Sequence, residues 1–282
     1  MANLRKLADQ RHHFNFHVTD CSHLKNDDIF EAAKFGNYEE IDLILECNAA
    51  DLNSMDSDGK TPLYLAAAND KHDVVRLLLM HQMVDVNSGA NEGKDPLYIA
   101  SEFGHDKVVT LLLAHEDIEV NKGCKSGTWP GSSPLFIASF YLHVKVVKLL
   151  LSFQDIDVNK GIESGPYTGV TTLLFQAADF SGRDRYEIVN LLLSHPKIDV
   201  NKGLKEGNPL FISVFQYYTN IRVVEALLQH PHINVNQQRE TDGSTALFLA
   251  AYKGRDSGIN YKKVCIILHV PTEPLLCCSE WS

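Results

Sequence analysis

IDVNKG, the stretch at Ile156–Gly161, recurs unchanged at Ile198–Gly203 and nearly unchanged, as IEVNKG, at Ile118–Gly123. Its aliphatic residue followed by asparagine marks further copies of the same unit along the chain. The asparagines of these pairs are Asn53, Asn87, Asn121, Asn159, Asn201 and Asn236. A motif that returns at near-constant spacing indicates a repeated structural unit, whereas an active site normally occurs once.

Two further motifs recur between these asparagines. One is a polar residue followed in most copies by proline, leucine and an aromatic residue, starting at Thr61, Asp95, Ser133, Thr172, Asn208 and Thr245. Thr or Ser before Pro predicts a helix start, because the hydroxyl caps free backbone N–H groups and proline fits the first turn. The other is Val-Val-x-Leu-Leu or a close variant, at Val74–Leu78, Val108–Leu112, Val146–Leu150, Ile188–Leu192 and Val223–Leu227. Its apolar residues share one helical face. Each unit is therefore predicted to be a helix, a short turn, a second helix and an extended β-turn finger that carries the asparagine.

This order of motifs resembles the ankyrin repeat, which has a period of about 33 residues and the signature Thr-Pro-Leu-His-x-Ala. The resemblance implies an all-α ankyrin-repeat solenoid over residues 25–270, between a leader (1–24) and an off-pattern tail (271–282). The expected repeats, about seven, lie near 25–58, 59–92, 93–130, 131–169, 170–206, 207–242 and 243–270. The signature histidine is Tyr or Phe in these copies, at Tyr64, Tyr98, Phe136, Phe175, Phe211 and Phe248.

The composition of the chain limits the classes of binding partner and the cellular compartment that we expect. The net charge of −10, from 36 acidic and 26 basic residues, disfavours nucleic acid or an anionic membrane as the main partner. No transmembrane helix and no secretory signal is expected. The six cysteines are scattered, which favours reduced thiols in a cytoplasmic protein, with the nucleus left open. We expect a monomer that binds another protein.

The catalytic and metal-binding motifs are incomplete. Gly59-Lys60-Thr61 lacks the upstream glycine of a phosphate loop, and no nucleophile elbow or kinase catalytic loop is present. We therefore expect no enzymatic activity and no cofactor. His13, His17 and Cys21 are spaced to share one face of a helix and could hold zinc. A solvated or packed leader is the preferred interpretation, and an N-terminal metal-dependent module stays an alternative.

The repeats differ most in the two residues after the small Ala/Ser pair that follows each signature. By the resemblance, these positions face the concave groove, where ankyrin proteins bind partners. The predicted binding residues are Phe103, Phe140, Tyr141, Phe180, Phe215 and Tyr252, rimmed by Trp129 and Tyr167 on lengthened fingers. Exposed aromatic rings are typical interface anchors. The alternative is that these rings pack against the long fingers and against the bulky Tyr and Phe residues at the signature positions.

The finger residues invite two more expectations. By resemblance, Asn87, Asn121, Asn159 and Asn201 are possible targets of an asparaginyl hydroxylase, although a turn also requires asparagine here. Lys122, Lys160 and Lys202 follow the asparagines and would favour an acidic partner segment. A further alternative is that the chain is a structural fragment of a longer ankyrin array.

Overall fold

The computed structural model describes Cys21 and residues 24–162, 173–178, 183–203, 207–215 and 221–256. The chain divides into two compact units between Ile156 and Asp157. All regular elements within the described residues are helices. The prediction of an all-α protein is therefore confirmed.

The helices come in pairs. In the first unit they are α1 (Asp28–Phe35), α2 (Tyr38–Cys47), α3 (Pro62–Ala68), α4 (His72–Leu79), α5 (Pro96–Phe103), α6 (Asp106–Leu113), α7 (Pro134–Phe140) and α8 (Val144–Leu151). In the described part of the second unit they are α9 (Leu173–Ala178), α10 (Arg183–Leu193), α11 (Pro209–Phe215), α12 (Ile221–Gln229) and α13 (Ala246–Asp256).

The capping motif starts the first helix of a pair, as predicted. The side chains of Thr61, Asp95 and Ser133 each accept a hydrogen bond from the backbone N–H three residues later, and proline occupies the first turn. Asn208 and Thr245 accept in the same way, at 2.8 and 3.2 Å. Such a cap stabilises a helix by about 1 kcal/mol. These caps fix where each new pair begins along the chain.

Helix pairs stack in two layers. In the first unit, α1, α3, α5 and α7 pack in that order, and α2, α4, α6 and α8 pack in a parallel series. In the second unit, α9, α11 and α13 pack in order, and α10 packs against α12. The small pairs Ala66-Ala67, Ala100-Ser101 and Ala138-Ser139 are buried in the first layer, where a larger side chain would hold neighbouring helices apart.

The Val-Val-x-Leu-Leu motif forms the core of the second layer. In α4, its four apolar side chains are at most 2% exposed: Val74, Val75, Leu77 and Leu78. Fully burying one such side chain contributes about 1.5–3 kcal/mol. Packing between neighbouring units therefore outweighs the weak intrinsic stability of an eight-residue helix.

The expectation of reduced thiols is wrong for two of the cysteines. Cys21 and Cys47 form a disulfide, with their Cα atoms 6.0 Å apart. Cys47 ends α2, so the bond fastens the segment before α1 to the first helix pair. Cys124 is a free, buried thiol. The pairing depends on how the first pair folds, and no spacing rule in the sequence predicts it.

Candidate functional site

Four of the predicted binding rings are exposed to solvent. In the first unit, the exposed fractions are 54% for Phe103 and 47% for Tyr141; in the second they are 47% for Phe215 and 59% for Tyr252. We call these four the exposed aromatics. Each lies at or just beyond the end of the first helix of its pair, except Tyr252, which lies within α13. Large apolar side chains at such positions contribute little to a core.

Two other predicted rings are packed against each other. The ring centroids of Trp129 and Phe140 are 5.0 Å apart, and Trp129 also contacts Phe136 at 6.2 Å. Trp129 covers a buried cluster that contains Tyr98 and Cys124. Trp129 and Phe140 therefore pack at the long finger, as the alternative interpretation expects, and their part in partner binding stays a prediction. Phe180 and Tyr167 lie outside the described residues.

The finger asparagines join successive fingers. Each side-chain Nδ2 donates to a backbone carbonyl of the next finger, at 2.6–2.7 Å. Oδ1 of Asn53, Asn87, Asn159 and Asn201 also accepts a backbone N–H of that finger, at 2.7–2.9 Å. We call these residues the finger ladder: Asn53, Asn87, Asn121, Asn159 and Asn201. The sequence predicted a turn here, but the side chain links one repeat to the next. The hydroxylation expected at four of them stays a prediction.

The acidic residue two positions before the asparagine stabilises the same finger turn. The carboxylate of Asp85 accepts the backbone N–H of Asn87, at 3.0 Å, and Asp199 does so for Asn201 at 3.0 Å. Asn234 replaces the acid before Asn236, and its amide oxygen accepts the same bond at 3.1 Å. The substitution is tolerated because the turn needs an acceptor, and a charge is not required.

Two finger lysines are also used between repeats. Lys122 Nζ donates to the carbonyl of Asn87 at 2.8 Å, and Lys202 Nζ donates to that of Asn159 at 2.9 Å. Lys122 lies 3.8 Å from Glu119 as well. These contacts account for the repeated lysine, so the expectation that it attracts an acidic partner segment loses its main support.

A pocket of about 230 Å³ adjoins the packed rings in the first unit. It lies between α5 and the finger that carries Trp129. Its walls include three side chains of the α5 region, one ring of the following finger and two rings of the next repeat: Lys94, Tyr98 and Glu102, then Trp129, then Phe140 and Tyr141. We call it the Trp129 pocket. An exposed ring, a packed ring and an ion pair meet here.

Comparison with known proteins decides the family. The family model for ankyrin repeats (3 copies) matches residues 29–124 and 174–269. The chain belongs to the ankyrin-repeat family. The crystal structure of the human ASB11 ankyrin repeat domain is similar, with a TM-score of 0.63 and 22% identity over 86% of this chain and 98% of that chain. At that identity the likeness shows the fold alone. No curated protein sequence matches the chain.

Ankyrin repeats are in general protein–protein interaction modules, and the family is one of non-enzymatic scaffolds. None of the described helices has the length and apolarity to cross a membrane. Within the described residues, no group of three or more His, Cys, Asp or Glu side chains is arranged to hold a metal ion. His13 and His17 lie outside those residues, and Cys21 is bonded to Cys47, so it offers no thiolate in this state.

The ankyrin signature histidine is missing, but other side chains make hydrogen bonds between repeats. The hydroxyls of Tyr98 and Ser132, in successive repeats, are 3.0 Å apart. His105 Nε2 donates to the carbonyl of Ala68 at 3.2 Å, and His143 Nε2 donates to that of Glu102 at 2.9 Å. The two histidines occupy the same position before the second helix. These histidines are not among the predicted residues, although their repetition is visible in the sequence.

Buried acid and phenol groups in these ankyrin repeats have shifted pKa values. Burial raises the pKa of Asp95 from 3.8 to about 7, and its second oxygen, Oδ2, has no hydrogen-bond partner. Burial, followed by the charges of Glu102 and Glu92, raises the pKa of Tyr64 to about 12. Burial is also the main cause of the raised pKa of Tyr98. These groups lie where one repeat covers the next, so they report on packing and not on catalysis.

Proposed function

We propose that the chain is a non-enzymatic adaptor that binds a partner protein through its exposed aromatics, of which Phe103 and Tyr141 belong to the first unit. By resemblance, these positions correspond to the concave groove of other ankyrin proteins, beside the finger tips. One observation carries the proposal: Phe103 and Tyr141 are about half exposed, 54% and 47%, while the neighbouring Phe136 is fully buried. Rigid aromatic side chains with solvent-facing rings are typical energetic anchors of interfaces.

The experiment compares affinity capture by the wild-type chain with capture by a Phe103→Ser, Tyr141→Ser double variant. Each ring would contribute about 2 kcal/mol as a hot spot, so capture of the main partner should fall by more than about tenfold. Circular dichroism should show unchanged helical content. Met83→Ser is the matched control, because Met83 is a large apolar side chain that is 77% exposed and is not among the predicted binding residues.

Two results would contradict the proposal. One is capture that the double variant and the Met83→Ser control retain equally. The other is loss of helical structure in the double variant, which would mean that the two rings stabilise the fold.

The remaining expectations about the molecule are proposals as well. We propose a monomer in the cytoplasm, with no nucleic-acid or membrane partner. The net charge of −10 supports the absence of such a partner, whereas the Cys21–Cys47 disulfide removes the support that reduced thiols gave to the cytoplasm. Sedimentation equilibrium tests the monomeric state, and fractionation of the source cell tests the cytoplasmic location.

Of the two alternative functions, the metal-dependent module is weakened because Cys21 is held in a disulfide. The longer ankyrin array has no observation in its favour.

A further inference from the structure

Two carboxylates lie close to the ammonium group of Lys94 in the wall of the Trp129 pocket. Lys94 Nζ lies 3.2 Å from Glu102 and 3.7 Å from Glu92. Glu102 lines the pocket, whereas Glu92 lies beside it with a side chain that is 57% exposed. The Glu102 side chain is only 16% exposed and that of Lys94 is 21% exposed, so solvent screens this ion pair less than it screens the charge of Glu92.

The field of these carboxylates extends beyond the ion pair. After burial, the charges of Glu102 and Glu92 are the next causes that raise the pKa of Tyr64. Glu102 also contributes to the raised pKa of Tyr98. The carboxylates thus act on neighbouring phenol groups, although burial is the larger cause of both shifts in pKa.

The aromatic walls suit a cation. The face of an aromatic ring attracts an ammonium or guanidinium group within about 6 Å. The chain already contains an example, because Lys94 Nζ lies 5.6 Å from the centroid of the Tyr98 ring. Trp129 and Tyr141 present further ring surface to the same space. The pocket thus holds one ammonium of its own, between carboxylates and a ring.

The size of the pocket limits what it can take. Its volume of about 230 Å³ is below the roughly 300–1,000 Å³ of pockets that enclose drug-sized ligands. One long side chain fits such a space. The excess of negative charge on the whole chain, −10, would also attract a basic segment during association.

We propose that the Trp129 pocket accepts one basic side chain, arginine or lysine, of the partner protein, and that Lys94 competes with it for the carboxylate of Glu102. The source of that side chain rests on the proposed function, but the chemistry of the pocket does not. The guest stacks on Trp129 and Tyr141 and pairs with Glu102. Lys94 occupies the site when no partner is bound.

The test uses small probes, so it needs no knowledge of the partner. Trp129 and Trp281 are the two tryptophans, and a Trp281→Phe background makes Trp129 the sole fluorescent reporter. Butylguanidinium and butylammonium are titrated into the full chain at constant ionic strength. Butylurea, which is neutral and similar in shape, is the control ligand. We expect saturable changes with the two cations, and an affinity for butylurea lower by about threefold to tenfold.

Two substitutions should move the affinity in opposite directions. Glu102→Gln removes the pairing carboxylate, so the cations should bind about threefold to tenfold more weakly. Lys94→Ala removes the internal competitor, so they should bind more tightly by a similar factor. Glu119→Gln is the matched control, because Glu119 pairs with a finger lysine outside the pocket. It removes the same charge from the chain and should leave the affinity unchanged.

Equal binding of butylurea and butylguanidinium would overturn the proposal, since the pocket would then be merely apolar. Equal effects of Glu102→Gln and Glu119→Gln would overturn it too, as would an unchanged affinity in Lys94→Ala. None of these outcomes depends on partner capture. The adaptor function therefore stands or falls separately, on the Phe103 and Tyr141 double variant.

Discussion

The side chains of the fingers and the exposed aromatics differ in what they contact. Finger side chains bond to neighbouring repeats, whereas the exposed aromatics face solvent. Along the fingers, the same residue types return, and their polar groups are used between repeats: the ladder amides donate and accept, and Lys122 and Lys202 donate to the preceding finger. After the small pairs, the residues change from one repeat to the next. Four of them leave an aromatic ring about half exposed, at 47–59%.

The difference teaches how to divide a repeat protein into structure and function. A residue that every unit needs is normally one that units use on each other, because stability in such arrays comes from units and their interfaces. A residue type that varies from repeat to repeat is not required for the contacts between repeats. Trp129 and Phe140 show that variation alone is not sufficient, since both vary and yet pack together.

The largest expected effect is a difference in stability between variants of two neighbouring rings, Phe140 and Tyr141. Phe140→Ala should lower the free energy of unfolding by about 2–3 kcal/mol, because it removes a half-buried ring that packs against Trp129. Tyr141→Ala should change it by less than about 0.5 kcal/mol, because that ring is exposed. Urea denaturation measures both. Equal losses would place Tyr141 in the core and break the comparison.

The finger ladder gives the next effect. Asn87→Ala removes two hydrogen bonds between fingers and should cost about 2 kcal/mol of unfolding free energy. Asn91→Ala is the control: its side chain makes a long contact of 3.5 Å with Asp58, and its loss should cost less than about 0.5 kcal/mol. Partner capture by Asn87→Ala should match the wild type at a temperature where both are folded. Reduced capture there would show that the ladder also binds.

Asp95 is an exception among the caps, because Thr61 and Ser133 occupy the same position without a charge. Its folded-state pKa, about 7, is raised from 3.8. The folded chain therefore binds the proton of Asp95 more tightly than the unfolded chain does. The stability that protonation of Asp95 contributes is full below about pH 4 and is lost as the pH rises through 7. Asp95→Ser should stabilise the protein by about 1–2 kcal/mol at pH 7.5, with a smaller gain at pH 5. Thermal unfolding at the two pH values measures this. A less stable variant at pH 7.5 would show that the attraction of the helix N-terminus for the charge outweighs burial.

The smallest effect concerns the charged part of the fingers. Lys122→Met should cost about 1 kcal/mol or less, because it removes a partly exposed bond to the carbonyl of Asn87. Lys125→Met, on the same finger, should be neutral in stability. Neither variant should weaken partner capture. A specific loss of capture in Lys122→Met would restore the idea that the finger lysines bind an acidic segment.

The local rules in the sequence predicted the repeats, the helix starts and the buried faces. The caps at Thr61 and Ser133 act within three residues, so the sequence contains everything needed to recognise them. These local rules could not predict which of two adjacent rings, Phe140 and Tyr141, is packed and which is exposed. Phe140 ends α7 and Tyr141 follows it, and Trp129, whose ring packs on that of Phe140, comes from another segment of the chain.

Other features depend on contacts between repeats. The sequence showed that Asn87 ends a turn, but the carbonyl it reaches, that of Asp117, becomes its neighbour only when the fingers stack. The Trp129 pocket requires two repeats for the same reason. The pair of His105 and His143 could have been found, because their position before Val-Val-x-Leu-Leu recurs.

The Cys21–Cys47 bond gives the first helix pair a mechanical property. A pull on the N-terminus would pass through the sulfur bridge directly to the end of α2, so α1 and α2 would carry no load. The bridge spans 26 residues, which corresponds to a hidden contour length of about 90 Å. Under a steady force, an oxidised chain would open first at later repeats, whereas a reduced chain would begin to unravel at its first helix and extend by this extra length.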